Sequence, residues 1–479
     1  MEVKSSPLVA AKSAPLVAAK SAPLVAAKSA PLVAALSGLG YAVFLVWFSG
    51  LPPYAPLAGF DPVIGLVAAS MLAGLVLVWS ARAIARTPCV MAGTNTLAII
   101  ILAGVGMRLL MLASEPILEQ DFLRYLWDGG LTANGINPYL YSPAEIFSPT
   151  KGLSGPAPNA VQDLARQANG LVESITYPDL RTIYPPLAQL AFAVAHWLDP
   201  WGLTGWRVVV LFSDGATLCI LIVLLRLLKR NSVWVALYWL NPLVLKELHN
   251  SAHMEAILLP FLLAAVLVAI HRKPMWAVTA LAGAVAIKFW PIVLLPIILA
   301  ATQKRPAVLI MATALFLALT MALLAPMVWP MILGGWTSDY GLIAYAGQWQ
   351  TFSATFGLIA FFATPEGARV IVAMLISALG FWMAWRVWAD EMLAITATTI
   401  LTATLYLLSP TGYPWYALWF MPFLVLSSNP ALMLLTVTLP LYNLRFLTPF
   451  ADFESTLAWL AVGPTLGWLA MRYWRGRTA

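Results

Sequence analysis

Apolar residues in this chain run for lengths that a bilayer demands and a water-soluble core does not. A membrane-crossing helix takes about 20 apolar residues, fewer where it packs against protein. Such runs recur at about 35–51, 62–80 and 94–112, then at 205–226, 232–245, 255–270, 274–288, 290–302 and 306–325. A last group follows at 367–385, 392–408, 414–427, 431–446 and 455–471. They predict an all-α fold, a polytopic transmembrane helix bundle of about 12–14 spans. Pro185–Leu198 and Phe352–Phe362 are apolar but short. At ~1.5 Å per residue they reach ~20 Å or less against a hydrocarbon core of ~30 Å, so they read as juxtamembrane or re-entrant helices. Only 10% of residues are charged, against about 25% in an ordinary soluble domain. So few could not cover a soluble globule, and 61% hydrophobic residues exclude a disordered chain.

The charges that exist sort by side. The N-terminal lysines, Arg82, Arg86, Arg226, Lys229, Arg230, Arg272, Lys273, Lys304, Arg305, Arg386, Arg472, Arg475 and Arg477 collect on one side, against Glu2, Asp390 and Glu391. The positive-inside rule makes that side cytoplasmic, and an even number of spans puts both termini there. The net charge of +7 is thus a topology signal and calls for no nucleic-acid partner. Cys89 and Cys219 suggest neither a disulfide framework nor a metal site.

The N-terminus repeats KSSPLVAA once and KSAPLVAA three times. A proline in every unit argues against a continuous helix, so residues 1–34 read as a low-complexity basic cytoplasmic tail. Either it is functionally neutral or it is held near anionic lipid. Residues 35–112 follow as three transmembrane helices, 113–204 as an extracytoplasmic loop with juxtamembrane helices, and 205–479 as the remaining bundle. Loops as long as 113–184 are functional or disordered. This one has motif-like ends, a Gly/Pro/Ser/Ala-rich middle expected to be mobile, and eight acids: Glu115, Glu119, Asp121, Asp128, Glu145, Asp163, Glu173 and Asp179.

The loop opens on a helix that should end near Asn134-Gly135, with Gly as a left-handed cap and Pro138 beyond it. Asp121, Arg124, Tyr125 and Asp128 fall at spacings that share one face. Asp121 there can be a general base if burial and a neighbouring charge tune it, or one member of a solvated Asp–Arg pair. Other polar clusters lie on the same predicted side. Lys246, Glu247, His249, His253 and Glu255 end the fifth span, where ionisable residues are functional candidates by default. Their alternative is a hydrated interface helix. His249 and His253 are four apart but lack the His-Glu-x-x-His pattern of a zinc protease. Lys288 interrupts an apolar hairpin at its outer end, either to meet a phosphate or to snorkel. Tyr184-Pro185-Pro186 opens a short helix, and Arg207 starts a span. Tyr413, Trp415 and Tyr416 form either an interfacial belt or a platform for sugar or lipid.

The segments EQDFLRYLWDGGLTANGINPYLY, TIYPPLAQLAF, LNPLVLKELHNSAHMEA, IKFWPIVLLP and SPTGYPWYALWFMPF, in this order, resemble the GT-C superfamily of membrane glycosyltransferases. Within it they look like the bacterial polyprenyl-phosphate-mannose-dependent mannosyltransferases. The resemblance spans roughly residues 95–430 and leaves the two preceding spans unaccounted for. It implies transfer of a hexose, mannose in the nearest group, from a polyprenyl-phosphate donor to a glycan or glycolipid acceptor. The site would lie on the extracytoplasmic face of a bacterial plasma membrane. Glu119-x-Asp121 matches the family's acidic motif, which implies Asp121 as catalytic base with Glu119 assisting. A leaving phosphate develops negative charge that cations stabilise. Arg124, Arg207, Lys246 and Lys288 are the candidates for that role, and in-line attack would invert the sugar's configuration. No cofactor is expected to be obligatory, although activity lost to a chelator and restored by Mg²⁺ or Mn²⁺ would reverse that. The competing reading is a secondary transporter or flippase for a lipid-linked or small polar solute. Intramembrane groups such as Asp214 fit it, but no two-fold repeat does.

Overall fold

A computed structural model describes residues 21–51, 61–85, 94–146, 157–302 and 304–477. Helices make up most of the described residues, and the bridges Arg181–Tyr340 and Thr351–Thr411 are isolated. The helices Ser29–Ser49, Pro62–Ala83, Leu203–Leu227, Pro306–Gly334 and Pro365–Trp388 are long and apolar enough to cross a membrane. Pro242–Asn250 and Glu255–Ile270 together make a further candidate, bent by 119°. The all-α bundle expected from the apolar runs is therefore what forms, although the described residues hold five helices of spanning length, six with the bent pair, rather than 12–14. Several shorter runs are broken rather than continuous. Residues 414–427 divide into Pro414–Trp419 and Met421–Ser427, and residues 430–446 into Pro430–Thr438 and Leu439–Phe446. Proline opens many of these pieces, where its missing N–H costs nothing. Pro186–Leu198 and Ala354–Ala363 are short helices, as the short apolar pieces predict.

The N-terminal repeat departs from expectation. Residues 1–20 lie outside the described residues, but the first helix already begins at Ser21 and runs to Ser49 with Pro31 inside it. The boundary expected near 35 thus falls within a helix. Proline is tolerated in such helices because neighbours can satisfy the freed backbone group. This helix pairs with Pro62–Ala85 through a 2.8 Å hydrogen bond between the Tyr41 and Ser70 hydroxyls.

The bundle has two distinct ends. Leu203–Leu227 has 25 residues, about 37 Å at 1.5 Å per residue. Arg207 near its start donates to the carbonyls of Leu112 and Ser114, which places that end beside the large loop. Pro365–Trp388 is nearly as long. Arg369 at its start reaches the Trp349 carbonyl at 3.1 Å, while Arg386 at its far end pairs with Glu391 at 2.6 Å. Lys304–Asp390, at 2.7 Å, lies at that far end too. The basic turns therefore gather opposite the loop.

At the loop end the first helix is Asp121–Ala133, with Asn134 as C-cap and Gly135 at φ 72°, as its sequence predicts. Residues 147–156 lie outside the described residues. The part of the loop centre that follows them is folded: Val161, Leu164, Ala165, Val172 and Ile175 bury against Trp127, Leu131, Tyr141 and Ile146 in a small second core. The apolar positions of Asn159–Gln167 fall on one helical face, which the Gly/Pro/Ser/Ala content of the loop obscured.

Asp121–Ala133 packs tightly on Pro186–Leu198. A Cβ on Gly129 would stand 2.4 Å from the Phe192 carbonyl oxygen, and one on Gly130 would stand 2.3 Å from the Trp201 ring. Gly129→Ala should therefore overpack this interface and destabilise by about 1–3 kcal/mol. Gly40→Ala meets nothing within 4 Å and gains helix propensity of up to about 1 kcal/mol. Thermal unfolding of the purified protein in detergent checks both: Gly129→Ala lowers Tm and Gly40→Ala does not.

Candidate functional site

The polar segments of the loop end surround one cavity of about 960 Å³. Its walls come from distant parts of the chain. Glu119, Asp121 and Arg124 enter from the loop, Tyr184 from the turn before Pro186–Leu198, Glu255 and Lys288 from the bundle, and Tyr413, Trp415 and Tyr416 from the 410–416 turn.

Asp121 is the first residue of its helix, so its carboxylate sits where unpaired backbone N–H groups and the helix dipole favour negative charge. It opens on the cavity, with its side chain 37% exposed, and its Oδ2 lies 3.8 Å from Nδ1 of the fully buried His253. The far side of that imidazole, Nε2, faces Glu247 Oε2 at 3.6 Å. The ring stacks on Trp415 with centroids 4.0 Å apart, and Tyr413 continues the stack at 4.3 Å. Burial first, and then the Glu255 charge, raise its pKa to about 6, with Lys288 acting the other way. A carboxylate poised there can accept a proton near neutral pH.

Glu119 differs. Burial dominates and pushes its pKa to about 8, against the pull of Lys246, with Asp121 adding to the rise. Its Oε1 is buried without a hydrogen-bond partner. Burial thus favours the neutral form of Glu119, which lines the cavity. Lys288 pairs with Glu255 and stands over the Tyr416 ring, 4.2 Å from its centroid. Trp290 and Trp419 stack beside it at 5.0 Å.

The remaining candidates have other settings. Arg124 lines the cavity, but its guanidinium donates to the Leu180 carbonyl and faces Asp128 at 3.3 Å. Asp128 is buried behind the wall, held also by Gln189 at 3.2 Å, and is a bracket for the loop rather than part of the cavity lining. Arg207 clamps the turn at Leu112 and Ser114 and likewise does not line the cavity. Lys246 and Glu247 lie 3.4 Å apart beneath the floor. His249 points away from the cavity and bonds Asp214 at 2.7 Å. It shares no helix face with His253, because the turn Leu245–Asn250 is a π-helix and the chain then breaks at Ala252, φ 57°. Among the described residues no group of three or more His, Cys, Asp or Glu side chains is arranged to hold a metal ion.

Other lining residues were not singled out in the sequence. Tyr345 and Trp349 come from the Gly341–Gln348 helix and its end, and Tyr442 and Arg445 from near the C-terminus. Arg445 reaches Thr351 and pairs with Glu454 at 3.2 Å. Arg181 closes one side: fully buried, it binds Glu145 at 2.7 Å and also Asp339. An arginine within an otherwise apolar run was the available signal for Arg445; the aromatics carried none, since membrane chains are rich in them.

Residues 182–410 match the model of glycosyltransferase family 87, a membrane-embedded family of the GT-C type. The resemblance to membrane glycosyltransferases is borne out, and the match speaks for glycosyl transfer rather than for transport of a solute. The matched region begins after Asp121 and ends before Arg445. No curated protein and no solved structure matches the chain.

The bracketing role of Asp128 has a measurable consequence. Asp128→Ala strands the nearly buried Arg124 guanidinium, and breaking a buried pair costs about 3–5 kcal/mol. The variant should unfold at clearly lower temperature in detergent, whereas Asp121→Asn, which frees no buried partner cation, should unfold near the wild-type temperature.

Proposed function

We propose that the chain is a membrane glycosyltransferase of the GT-C type that moves a hexose, mannose by resemblance, from a polyprenyl-phosphate donor to a glycan or glycolipid acceptor. The observation that carries this reading is a carboxylate at a helix N-terminus, Asp121, facing a cavity that also holds a cation on an aromatic wall, Lys288. The donor's isoprenoid chain must stay in lipid, which fits a site at the end of a membrane bundle. The basic turns at the opposite end fit a cytoplasmic placement of that end, with the cavity at the extracytoplasmic face of a bacterial plasma membrane.

In this mechanism Asp121 takes the proton of the acceptor hydroxyl while the acceptor oxygen attacks the sugar's anomeric carbon in line, inverting it. The bond to the phosphate breaks, and its electron pair leaves on the phosphate. Lys288 stabilises that charge electrostatically, and low dielectric strengthens the effect. Arg445, paired with Glu454, is a second cation lining the cavity. Glu119, neutral at pH 7, donates a hydrogen bond to a sugar hydroxyl. The stack of Tyr413 on Trp415 supplies an aromatic face for the sugar ring. Arg207 and His249 have no part in the reaction on this reading, and Lys246 and Glu247 act from below the floor.

The base must be ionised to work, so kcat/KM should fall about tenfold per pH unit below about 6. Ionisation of Glu119 near 8 removes a donor and should give a second decline on the alkaline side. Asp121→Asn should abolish transfer from radiolabelled polyprenyl-phosphate mannose while the protein stays folded. Near-normal turnover in that variant, or a flat profile from pH 5 to 7, would overturn the assignment of the base.

A further inference from the structure

Asp121 is the visible end of a line of groups that continues into the protein. His253 Nδ1 lies 3.8 Å from Asp121 Oδ2, and His253 Nε2 lies 3.6 Å from Glu247 Oε2. Exposure falls from 37% at Asp121 to 0% at His253 and 1% at Glu247. Both imidazole nitrogens are buried without a hydrogen-bond partner. A buried polar ring left so is costly in a structural role, because each lost partner costs about 1–3 kcal/mol. The ring is nonetheless held in place by its stack on Trp415. Its position follows from the chain break at Ala252, which turns His253 away from the π-helix that carries Glu247.

We infer that His253, backed by Glu247, receives the proton that Asp121 takes from the acceptor hydroxyl. The inference rests on the proposed role of Asp121 as base. Both separations exceed hydrogen-bond length, and such contacts commonly tighten only when substrate is bound. The acceptor O–H bond breaks and its proton goes to Asp121. The acceptor oxygen forms the bond to the anomeric carbon, and the carbon–oxygen bond to the phosphate breaks with its electron pair leaving on the phosphate. The proton then moves from Asp121 Oδ2 to His253 Nδ1 while His253 Nε2 passes its own proton to Glu247 Oε2, so the buried ring stays neutral and Glu247 holds the proton. It returns by the same route and leaves to water when product departs. The charged groups facing His253 are Asp121 and Glu247, with Lys246 paired to Glu247 and Lys288 paired to Glu255. Moving the proton inward keeps it away from the leaving phosphate during the step. His253 is thus a positioning residue that acts through Asp121.

The alternative is that His253 merely fills space on Trp415, and His253→Phe separates the two because it keeps an aromatic stack and removes the proton site. The full-length protein in detergent, with polyprenyl-phosphate mannose as donor and membrane glycolipid as acceptor, should show kcat lowered about 10²-fold in His253→Phe. KM for the donor should stay within about twofold, and the acid limb should move. Glu247→Gln should shift the same limb. A folded His253→Phe variant with wild-type kcat and pH profile overturns the relay. If the wild type transfers nothing from this donor, the donor reading fails, and a second measurement still decides the relay. The chain has 4 histidines, so ¹⁵N-histidine NMR can assign His253 by the signal missing in His253→Phe. Its titration midpoint should move by about one pH unit in Asp121→Asn and in Glu247→Gln. An unmoved midpoint in both variants overturns the relay without reference to any substrate.

Discussion

The carboxylate of Asp214 joins three parts of an apolar bundle through directional bonds that packing alone does not supply. Arg108 reaches it at 2.6 Å from the third helix, Tyr238 donates to it at 2.5 Å, and His249 meets it at 2.7 Å. Arg108 also donates to the Trp239 and Gly104 carbonyls and lies 3.4 Å over the Trp239 ring. A charge this deep is expensive unless every neighbour answers it. That expense makes the arrangement specific: slippage of any one segment would leave a buried ion without a partner, a cost of several kcal/mol. The π-turn that carries His249 is thereby fixed, and with it Glu247 and His253 on the opposite side of the same short segment.

From this anchor the cavity floor follows by geometry. The segment Pro242–Asn250 bends away from Glu255–Ile270 by 119°, so one stretch of chain sends His249 into the bundle and His253 toward Asp121. Asn250 completes the link, donating to the Ser114 hydroxyl at 3.1 Å and the Glu115 carbonyl at 2.8 Å and accepting from the Ile117 backbone N–H at 3.1 Å. These bonds hold the strap that runs from the third helix to Glu119 and Asp121. The acidic loop is therefore not laid over a finished bundle. It is hydrogen-bonded to the same broken helix that supplies the floor.

How much of this could be read from the residues depended on whether the signal was local. The Asp121–Ala133 helix was legible to its cap, because the Gly135 turn and one-face spacing are properties of neighbours in sequence. The short helices after Tyr184 and near Phe352 were legible from length against bilayer thickness. The candidate site was legible in part: Asp121, Glu119, Tyr184, Glu255, Lys288 and the 413–416 aromatics do share a cavity. Asp128 looked equivalent to Asp121 on the helical wheel. Only the packing on Pro186–Leu198, which brings Gln189 to Asp128, shows that one carboxylate faces in and the other out. His249 and His253 looked paired at helical spacing, and a π-turn followed by a left-handed residue undoes that spacing. Arg445 could not be joined to the site by any local rule, since its approach depends on the long-range meeting of residues 351 and 445.

The tuning of Asp121 comes from opposing effects rather than from one strong partner. Its place at a helix N-terminus favours the ionised form, by about 0.3–1 kcal/mol where such sites are exposed and up to ~2 where partly buried. Burial and the Glu255 carboxylate favour the neutral form, and Lys288 pulls back toward the ion. A lone buried acid would rise further and cease to be a base at neutral pH. An acid at an exposed helix terminus would be too weak a base to take a hydroxyl proton. Glu119, only two residues earlier, lies outside the helix and is carried to about 8 by burial. The two carboxylates of one motif thus sit on either side of the boundary between strap and helix, each raised by burial and each with its own charged neighbours. That difference requires burial, because in open water both groups would ionise and it would vanish.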